Sequence, residues 1–589
     1  MIIKVGNSYT TVDFQNNVKL QDEVRDYMHH QLGLKDPQAI HSRVYKLGHW
    51  DGITDYYDMK NDKFPTGFLD KFLEGIRHMQ TYIKMLTYTI EDDRPSPLIH
   101  QDSIDEEITV IKKGEVLTLH DYQYGSVKQS LAEQTGVVNL ATNAGKTFQA
   151  TGLIKILQPL LDRDERICFM VHSKDILQQA RASICEGLGI DIKETGLVGE
   201  GKFDVKDKKL VFAMSPSLAS ALSDPKKGVS LTTKERMFKK MSEDIAPRFI
   251  GTVNTKTLIK NFLKNWTPKT KNDLEIEEAL TVLAYDNTYS QAKVQMELMG
   301  FKVKFEKVLE KKNKKNFDKW KQANDFVNSV RVLIADECQR AKGDTWYNNV
   351  LAMENAQYRI GLTGTVDPKD VIMKHRLEAL FGNIIAKVSN DEMIQRGISS
   401  KPRIRVLEVK EPRNIELAEN YLEAYKVGIA ENDYRTGLGV KMAITFYEAK
   451  KAGVVLTVTH IEHGNRAVAM LQEKGYEVGF LHGELTLEER TELLTRFDNN
   501  ELHFLVASTI IDEGISINSI GCMVLLNGGK SMRQILQRIG RGLRLNGVDG
   551  NQTVIFDFID MTHRILKSHS KERLRLYKEE KFDVKLVKI

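Results

Sequence analysis

The sequence predicts an α/β protein: two tandem parallel-sheet domains, a small α/β module ahead of them, and a mostly helical insertion within the first. Three observations carry this expectation. Short apolar runs alternate with helical patterns in two separate series, the mark of βα units and a parallel sheet. Residues 219–330 interrupt the first series with helical spacing, far beyond a normal connection of ~2–6 residues plus its helix. The chain has 589 residues, 41% hydrophobic and 28% charged. That leaves room for roughly three to five globular domains and excludes disordered, collagenous and coiled-coil classes.

Taken in order, residues 1–95 read as the small amino-terminal module. Tyr9–Phe14 alternates as a strand, and Val18–Leu32 and Phe68–Ile83 carry helical spacing. Val44–Leu47 and Ile53–Tyr57 flank the turn-rich Gly48-His49-Trp50-Asp51-Gly52, which suggests a hairpin with Trp50 in its core. The stretch Glu91–Glu107 is acidic and holds Pro95 and Pro97; it reads as a linker, drawn at 96–114. The first parallel-sheet domain takes residues 115–395, with runs Val137–Leu140, Ile167–His172, Lys209–Met214, Val332–Ala335 and Tyr358–Leu362. Helical patterns such as Lys256–Trp266 and Gln291–Met299 fill its insertion, about 219–330. The second domain takes 396–563, with runs Gly453–Val458, Val478–Leu481, Phe504–Ala507, Met523–Leu526 and Thr553–Asp557. Residues 564–589 are left as a basic tail.

Cys168, Cys185, Cys338 and Cys522 are scattered, with no CxxC pair, so neither a zinc ribbon nor a disulfide framework is expected. A reducing, cytoplasmic compartment is the natural reading. The start MIIKVGNSYT lacks the pattern of a secretory signal, and no window of ~18 apolar residues is available to span a membrane. A monomer is expected. The net charge of +5 over the whole chain does not by itself announce a nucleic-acid partner.

Parallel sheets bind ligands at the carboxyl ends of their strands, so the loops after the apolar runs are where chemistry is expected. One of these is Ala141-Thr142-Asn143-Ala144-Gly145-Lys146-Thr147, which follows a strand and precedes a helix. Its GKT end matches a phosphate-binding loop: backbone N–H groups at a helix start cradle phosphate, Lys146 reaches the terminal phosphates and the Thr147 hydroxyl holds Mg²⁺. Leu140 stands where the early glycine of that pattern usually falls. Asp336-Glu337-Cys338-Gln339 closes the run RVLIA. One carboxylate there can hold the metal and a second can deprotonate an attacking water. Thr363 and Thr365, in Gly361-Leu362-Thr363-Gly364-Thr365, follow another strand. In the run from Gln537 to Arg544, Arg541 and Arg544 share one helical face and can complete an ATP site by stabilising γ-phosphate charge.

Taken in order, LHDYQ, ATNAGKT, DECQ, GLTGT, LHGELTLEER, VASTIIDEGISI and QRIGRGLR resemble the motif series of the superfamily 2 helicases. Most of the chain apart from the insertion, including KLGHWDGITDYYD and FPTGFLDKF near the start and FDVKLVKI at the end, is similar to the UvsW-type phage recombination helicases. The resemblance implies two RecA-like domains, a DNA-binding-like amino-terminal module, and an ATP- and Mg²⁺-dependent motor acting on branched DNA in the host cytoplasm. Its outputs would be junction migration, fork regression and R-loop unwinding during phage replication and recombination. It also implies residue roles. Gln123 would read the adenine edge; Thr142, Asn143, Ala144, Gly145, Lys146 and Thr147 would cradle phosphate. Asp336 would hold the metal with Thr147, and Glu337 would be the general base. Gln339 would couple the nucleotide site to its neighbours, and Thr363 and Thr365 would couple hydrolysis to movement. Gly514 and Gln537 would close the site with Arg541 and Arg544 as fingers. Gln339, Val366 and Ser516 depart from the usual histidine, proline and aspartate, which bears on coupling and ribose contacts.

By the same resemblance a nucleic-acid strand would touch Ser173, Lys174, Ser215, Thr459, His460 and Ser508. Hydroxyl and backbone donors suit phosphate contacts, which position without reading sequence. The charge distribution adds to this. Residues 226–330 hold 22 Lys/Arg against 13 Asp/Glu, a net of +9, and 564–589 hold 9 against 4, a net of +5. The rest of the chain is therefore mildly acidic, and salt-sensitive phosphate binding is expected on the basic segments, with the insertion clamping duplex arms near a junction. A solvated charged helix is the alternative for each. At the level of the whole chain three other readings stay open: an RNA helicase of the same superfamily, a nucleic-acid-binding scaffold without hydrolysis, and the motor of a restriction complex.

Overall fold

The computed structural model describes all residues except 37–38, 85, 142, 225–230, 365, 368, 412–417, 509–519, 530–551 and 588–589. The chain divides into two compact units, one of residues 1–218 with 327–589 and one of residues 219–326. The protein is α/β, with two RecA-like parallel-sheet domains and an amino-terminal sheet in the first unit, and a helical second unit.

The first large sheet has eight strands in the order Lys202–Asp204, Gly196–Gly199, Leu210–Met214, Arg166–Val171, Val330–Asp336, Tyr358–Thr363, Thr135–Leu140, Ile384–Val388. All its pairings are parallel except that of the edge hairpin Gly196–Gly199 with Lys202–Asp204. Its central strands are buried on both faces, which is why they read as unbroken apolar runs. The register pairs Asp336 with Leu362 and Thr363 with Asn139, so the carboxyl ends of three adjacent strands finish level.

The second large sheet has seven strands, all parallel, in the order Val478–Leu481, Phe504–Ala507, Gly453–Thr457, Ile520–Leu525, Gln552–Asp560, Lys401–Val409, Asp583–Val587. Its last strand corrects the sequence reading of 564–589 as a tail. Arg564–Glu579 is a helix packed on this domain, and Asp583–Val587 pairs along Arg403–Leu407. The helix is held by a buried network: Arg573 Nε donates to Asp557 Oδ2 at 2.9 Å, Tyr577 Oη to the same oxygen at 2.7 Å, and Arg435 Nε to Asp560 Oδ1 at 2.6 Å. Arg573 is thus a core cation neutralised by strand carboxylates, and its charge does not belong to a free appendage.

In the amino-terminal module, Ile2–Val5, Tyr9–Asp13, Lys63–Pro65 and Thr89–Asp92 form one four-stranded sheet, backed by the helices Val18–Leu32 and Leu69–Met79. The expected hairpin about Gly48–Gly52 is absent among the described residues. Arg43–Lys46 is a short helix, and Ile53–Thr54 pairs with Leu34–Lys35 instead. Trp50 is half-buried, its ring nitrogen donating to Ile53 O at 2.6 Å. The linker reading also needs correction. Thr89–Asp92 is a sheet strand, and Gln357 Nε2 donates to Pro95 O and Ser96 O at 2.9 Å each. Within 96–114 and just beyond, Thr109–Lys112 and Glu115–Thr118 form a tight hairpin through Lys113 and Gly114, both at positive φ.

The module is docked on the first large domain. Buried Arg359 donates to Asn7 O at 3.0 Å, Ser8 Oγ at 2.9 Å and Val350 O at 3.0 Å. At Gly67 any Cβ would overlap the backbone carbonyls of Glu378 and Ala379, so only glycine allows this approach. His375 Nε2 donates to Leu32 O at 2.7 Å between the rings of Tyr56 and Phe68, and burial pushes its pKa down to about 4.

The second unit is a separate helical body. The helices Thr233–Lys240, Thr255–Lys264 and Lys271–Tyr285 and the first part of Gln291–Ser329 enclose a core of Met241, Ile259, Ile276, Leu280, Val294 and Leu298. All four cysteines are buried free thiols. Among the described residues no helix is long and apolar enough to cross a membrane.

Candidate nucleotide site and nucleic-acid interface

Three sequence-predicted segments meet at the carboxyl edge of the first large sheet. The strand Thr135–Leu140 runs into the loop that ends at Gly145, where φ of +76° turns the chain into the helix Lys146–Leu157. The loop turns tightly: Ala144 N donates to Ala141 O at 3.1 Å, and Asn143 also has positive φ. The first turn of the helix, with Lys146 and Thr147 half-buried, presents backbone N–H groups outward, the geometry that suits phosphate.

Gln123 covers this loop. It lies in the first turn of the helix Asp121–Glu133, where its Oε1 accepts from His120 N at 3.0 Å in a capping box. Its Nε2 donates to Ala144 O at 2.9 Å. The approach is so close that a Cβ on Gly145 would overlap Gln123 Nε2. Sequence reasoning gave Gln123 the adenine edge; the structure joins its amide to the phosphate loop.

Two strands away, about 10 Å across the sheet, Val330–Asp336 delivers the carboxylates. Asp336 Oδ1 accepts from Glu337 N at 2.9 Å. Burial, reinforced by the neighbouring Glu337 charge, pushes the Asp336 pKa up to about 6, while the Lys146 ammonium pulls it back. Lys146 therefore acts electrostatically on Asp336 across the strand between them. Glu337 turns the chain with left-handed φ of +53°, a conformation a non-glycine residue holds only when its surroundings enforce it. Buried Gln339 donates its amide to Glu337 Oε2, which ties the fourth residue of the segment to the second. The other Gln339 atom, Oε1, is buried without a hydrogen-bond partner among the described residues. Burial and the two neighbouring carboxylates push the Cys338 thiol far up, so it is an inert packing group. Thr363 ends the intervening strand and is fully buried.

Two adjacent carboxylates facing a lysine and a helix start fit a nucleotide phosphate with a divalent cation. Among the described residues no group of three or more His, Cys, Asp or Glu side chains is placed to hold a metal ion; Mg²⁺ is typically bound through one or two carboxylates plus phosphate oxygens. Thr142, Thr365, Gly514, Gln537, Arg541 and Arg544 lie outside the described residues.

The expected nucleic-acid positions divide. Ser173 and Lys174 begin the helix Lys174–Leu188; Ser173 Oγ is buried without a hydrogen-bond partner among the described residues, and exposed Lys174 is 3.5 Å from Glu200. His460 is exposed and Thr459 half-buried at the start of the helix Ile461–Gln472. Ser215 is a correction: it is 1% exposed, and its Oγ and carbonyl both accept from Asn349 Nδ2, at 2.9 and 2.7 Å. It supports the loop instead of facing a strand. Ser508 is also buried, its N–H donating to Leu481 O at 2.9 Å.

Two further contacts of the motif segments were not singled out from sequence. Arg490 Nη1 lies 3.2 Å from Asp175 Oδ2. Arg396 forms a two-oxygen pair with Asp121 at 2.6 and 2.8 Å and sits over the Tyr122 ring, next to Gln123. Arg490 ends the quoted LHGELTLEER, and Asp121 and Tyr122 lie in LHDYQ, so the motifs contained one partner of each contact.

Residues 440–546 match the family described as helicase conserved C-terminal domain. Residues 116–243 and 226–368 match the family described as type III restriction enzyme, res subunit. The ATP-dependent DNA helicase uvsW of Enterobacteria phage T4 is 25% identical over 286 residues, 45% of this chain and 55% of that one. The DNA 3'-5' translocase XPB2 of Sulfurisphaera tokodaii is 25% identical over 260 residues, 38% and 58% of the two chains. A probable ATP-dependent RNA helicase of Methanocaldococcus jannaschii is 24% identical over 250 residues, 36% and 67%. The match thus spans about half to two thirds of these relatives. The solved structure of T4 UvsW aligns over 100% of this chain and 99% of that one at 16% identity and a TM-score of 0.40.

The two family matches lie in tandem on the two RecA-like domains, and the chain is similar to the superfamily 2 helicases. Within that superfamily it is similar to the UvsW-type phage helicases.

Proposed function

We propose that the chain is an ATP-dependent DNA motor that remodels branched DNA, migrating junctions, regressing forks and dissociating R-loops in phage replication and recombination. The observation that carries the reading is the convergence of Lys146 and Asp336 at the carboxyl edge of one sheet, with Glu337 next to Asp336 and Gln123 bonded to the loop that precedes Lys146. Lys146 and the helix start at Gly145 would hold phosphate, and Thr147 and Asp336 would hold Mg²⁺, which would supply charge neutralisation on the phosphates. Glu337 takes a proton from the attacking water, oriented by the Gln339 amide. By the motif resemblance, Arg541 and Arg544 would act as arginine fingers on the γ-phosphate, and Thr363 and Thr365 would couple hydrolysis to movement. Likeness to a phage DNA helicase supports the choice of DNA.

The test is an ATP-dependent strand-separation assay on a Holliday junction, a fork, an R-loop and an RNA duplex. Rapid action on the branched DNA species and little on the RNA duplex is the expected result. Preferential action on the RNA duplex would replace this reading with an RNA helicase.

A further inference from the structure

The helix Gln291–Ser329 leaves its own core. Val294, Leu298, Phe301 and Phe305 are buried, and burial resumes only at Ala323 and Phe326; between Phe305 and Ala323 no side chain is buried. This free run carries the charge. Residues 302–322 hold nine lysines against Glu306, Glu310 and Asp318, a net of +6. The half-buried Val308, Lys312, Asn316 and Trp320 lie on one side, where Lys312 meets Glu235 Oε2 at 2.5 Å. Lys307, Lys311, Lys314 and Lys321 recur at helical spacing on the opposite side, with Lys304 and Lys315 flanking. Lys304 has Glu297 at 3.6 Å, but Lys302, Lys307, Lys311, Lys314, Lys315, Lys319 and Lys321 have no ion pair among the described residues.

We propose that this face is a binding surface for the phosphodiester backbone of a nucleic-acid duplex; the choice of polyanion rests on the proposed function. From Lys307 to Lys321 the helix rises about 21 Å, alongside which a B-form duplex carries roughly a dozen phosphate charges. The pairs Lys307/Lys311, Lys311/Lys315 and Lys315/Lys319 are like charges at i,i+4, unfavourable for an isolated helix and turned favourable by a polyanion. A single strand is the poorer occupant. Successive stacking rings are needed for it, and Phe317 is the one exposed aromatic in the run, packed beside Trp320.

The test replaces Lys307, Lys311, Lys314, Lys315 and Lys321 by Gln in the full chain and measures fluorescence anisotropy on a blunt DNA duplex and on a single strand across salt concentrations. Duplex affinity at ~0.1 M salt is expected to fall at least ~10-fold, and the log–log salt slope to flatten by up to about 4.5, since each of the five lost phosphate contacts is worth ~0.9. The single-strand affinity and the ATP turnover without nucleic acid stay unchanged. An unaltered duplex slope overturns the proposal, and an equal loss on single strand overturns the choice of duplex. Absence of any nucleic-acid stimulation of ATP turnover in the wild-type chain would instead contradict the proposed motor, whatever the slope.

Discussion

Gln123 donates its side-chain amide to the carbonyl of Ala144 at 2.9 Å while accepting from the backbone of His120. The glutamine is therefore a strut between the start of one helix and the loop that starts the next. Its closeness leaves no room for a Cβ at Gly145, whose φ of +76° is also unfavourable for any other residue. Gly145→Ala is expected to abolish ATP turnover, and Gln123→Ala to raise KM for ATP about 10-fold with kcat less affected. Steady-state kinetics with varied ATP check both.

Asp336 is held mostly protonated below a pH of about 6 by burial and by Glu337. If Asp336 holds the metal as proposed, its raised pKa means that this carboxylate is lost as pH falls through that value. The pH profile of kcat/KM for ATP should fall below pH ~6 with unit slope. Raising the Mg²⁺ concentration should move the inflexion to lower pH, because the metal and the proton compete for one group.

His375 is neutral in the interface between the amino-terminal module and the first large domain, its pKa lowered to about 4 by burial. In the unfolded chain it titrates near 6.5. Between those values the unfolded state binds the extra proton, so this contribution is complete above pH ~6.5 and is lost as pH falls towards ~4. The shift corresponds to an upper bound of about 3 kcal/mol. His375→Phe should remove that part of the pH dependence in denaturant titrations between pH 4 and 7.

Arg573 places its guanidinium between Asp557 and Asp560 in the core of the second domain, with Nη1 donating to Gly529 O at 2.7 Å. Arg573→Ala leaves buried Asp557 without its cation, while Asp560 keeps Arg435. A loss of about 3–5 kcal/mol is expected, seen in denaturant titration and as faster hydrogen exchange in Gln552–Asp560. Unchanged exchange there would contradict the core role of this cation.

The centre of each large sheet was legible because strands buried on both faces are written as unbroken apolar runs such as RVLIA. The strands passed over are less regular. Lys401–Val409 alternates with charge, Asp583–Val587 sits at an edge among lysines, and Gly196–Gly199 is half glycine. The basic residues of 564–589 suggested an appendage because composition does not reveal that Arg573 is paired inside a core. The phosphate loop and the carboxylate segment were legible for the opposite reason: their chemistry lies in contiguous residues following strands. Asn349 beneath Ser215 and Arg396 on Asp121 join positions 134 and 275 residues apart, which no local spacing records. The hairpin expected about Gly48 failed because Ile53–Thr54 found a partner at Leu34–Lys35, outside the window that turn residues describe.

The central claim is that Glu337, turned by its left-handed backbone beside Asp336 and held by Gln339, is the base of a nucleic-acid-driven ATPase. ATP turnover by the wild-type chain and by Glu337→Gln, each with and without forked DNA, tests it most directly. The account predicts stimulation of the wild type and a fall of at least ~100-fold in the variant with its DNA binding intact. Full turnover in Glu337→Gln would contradict it.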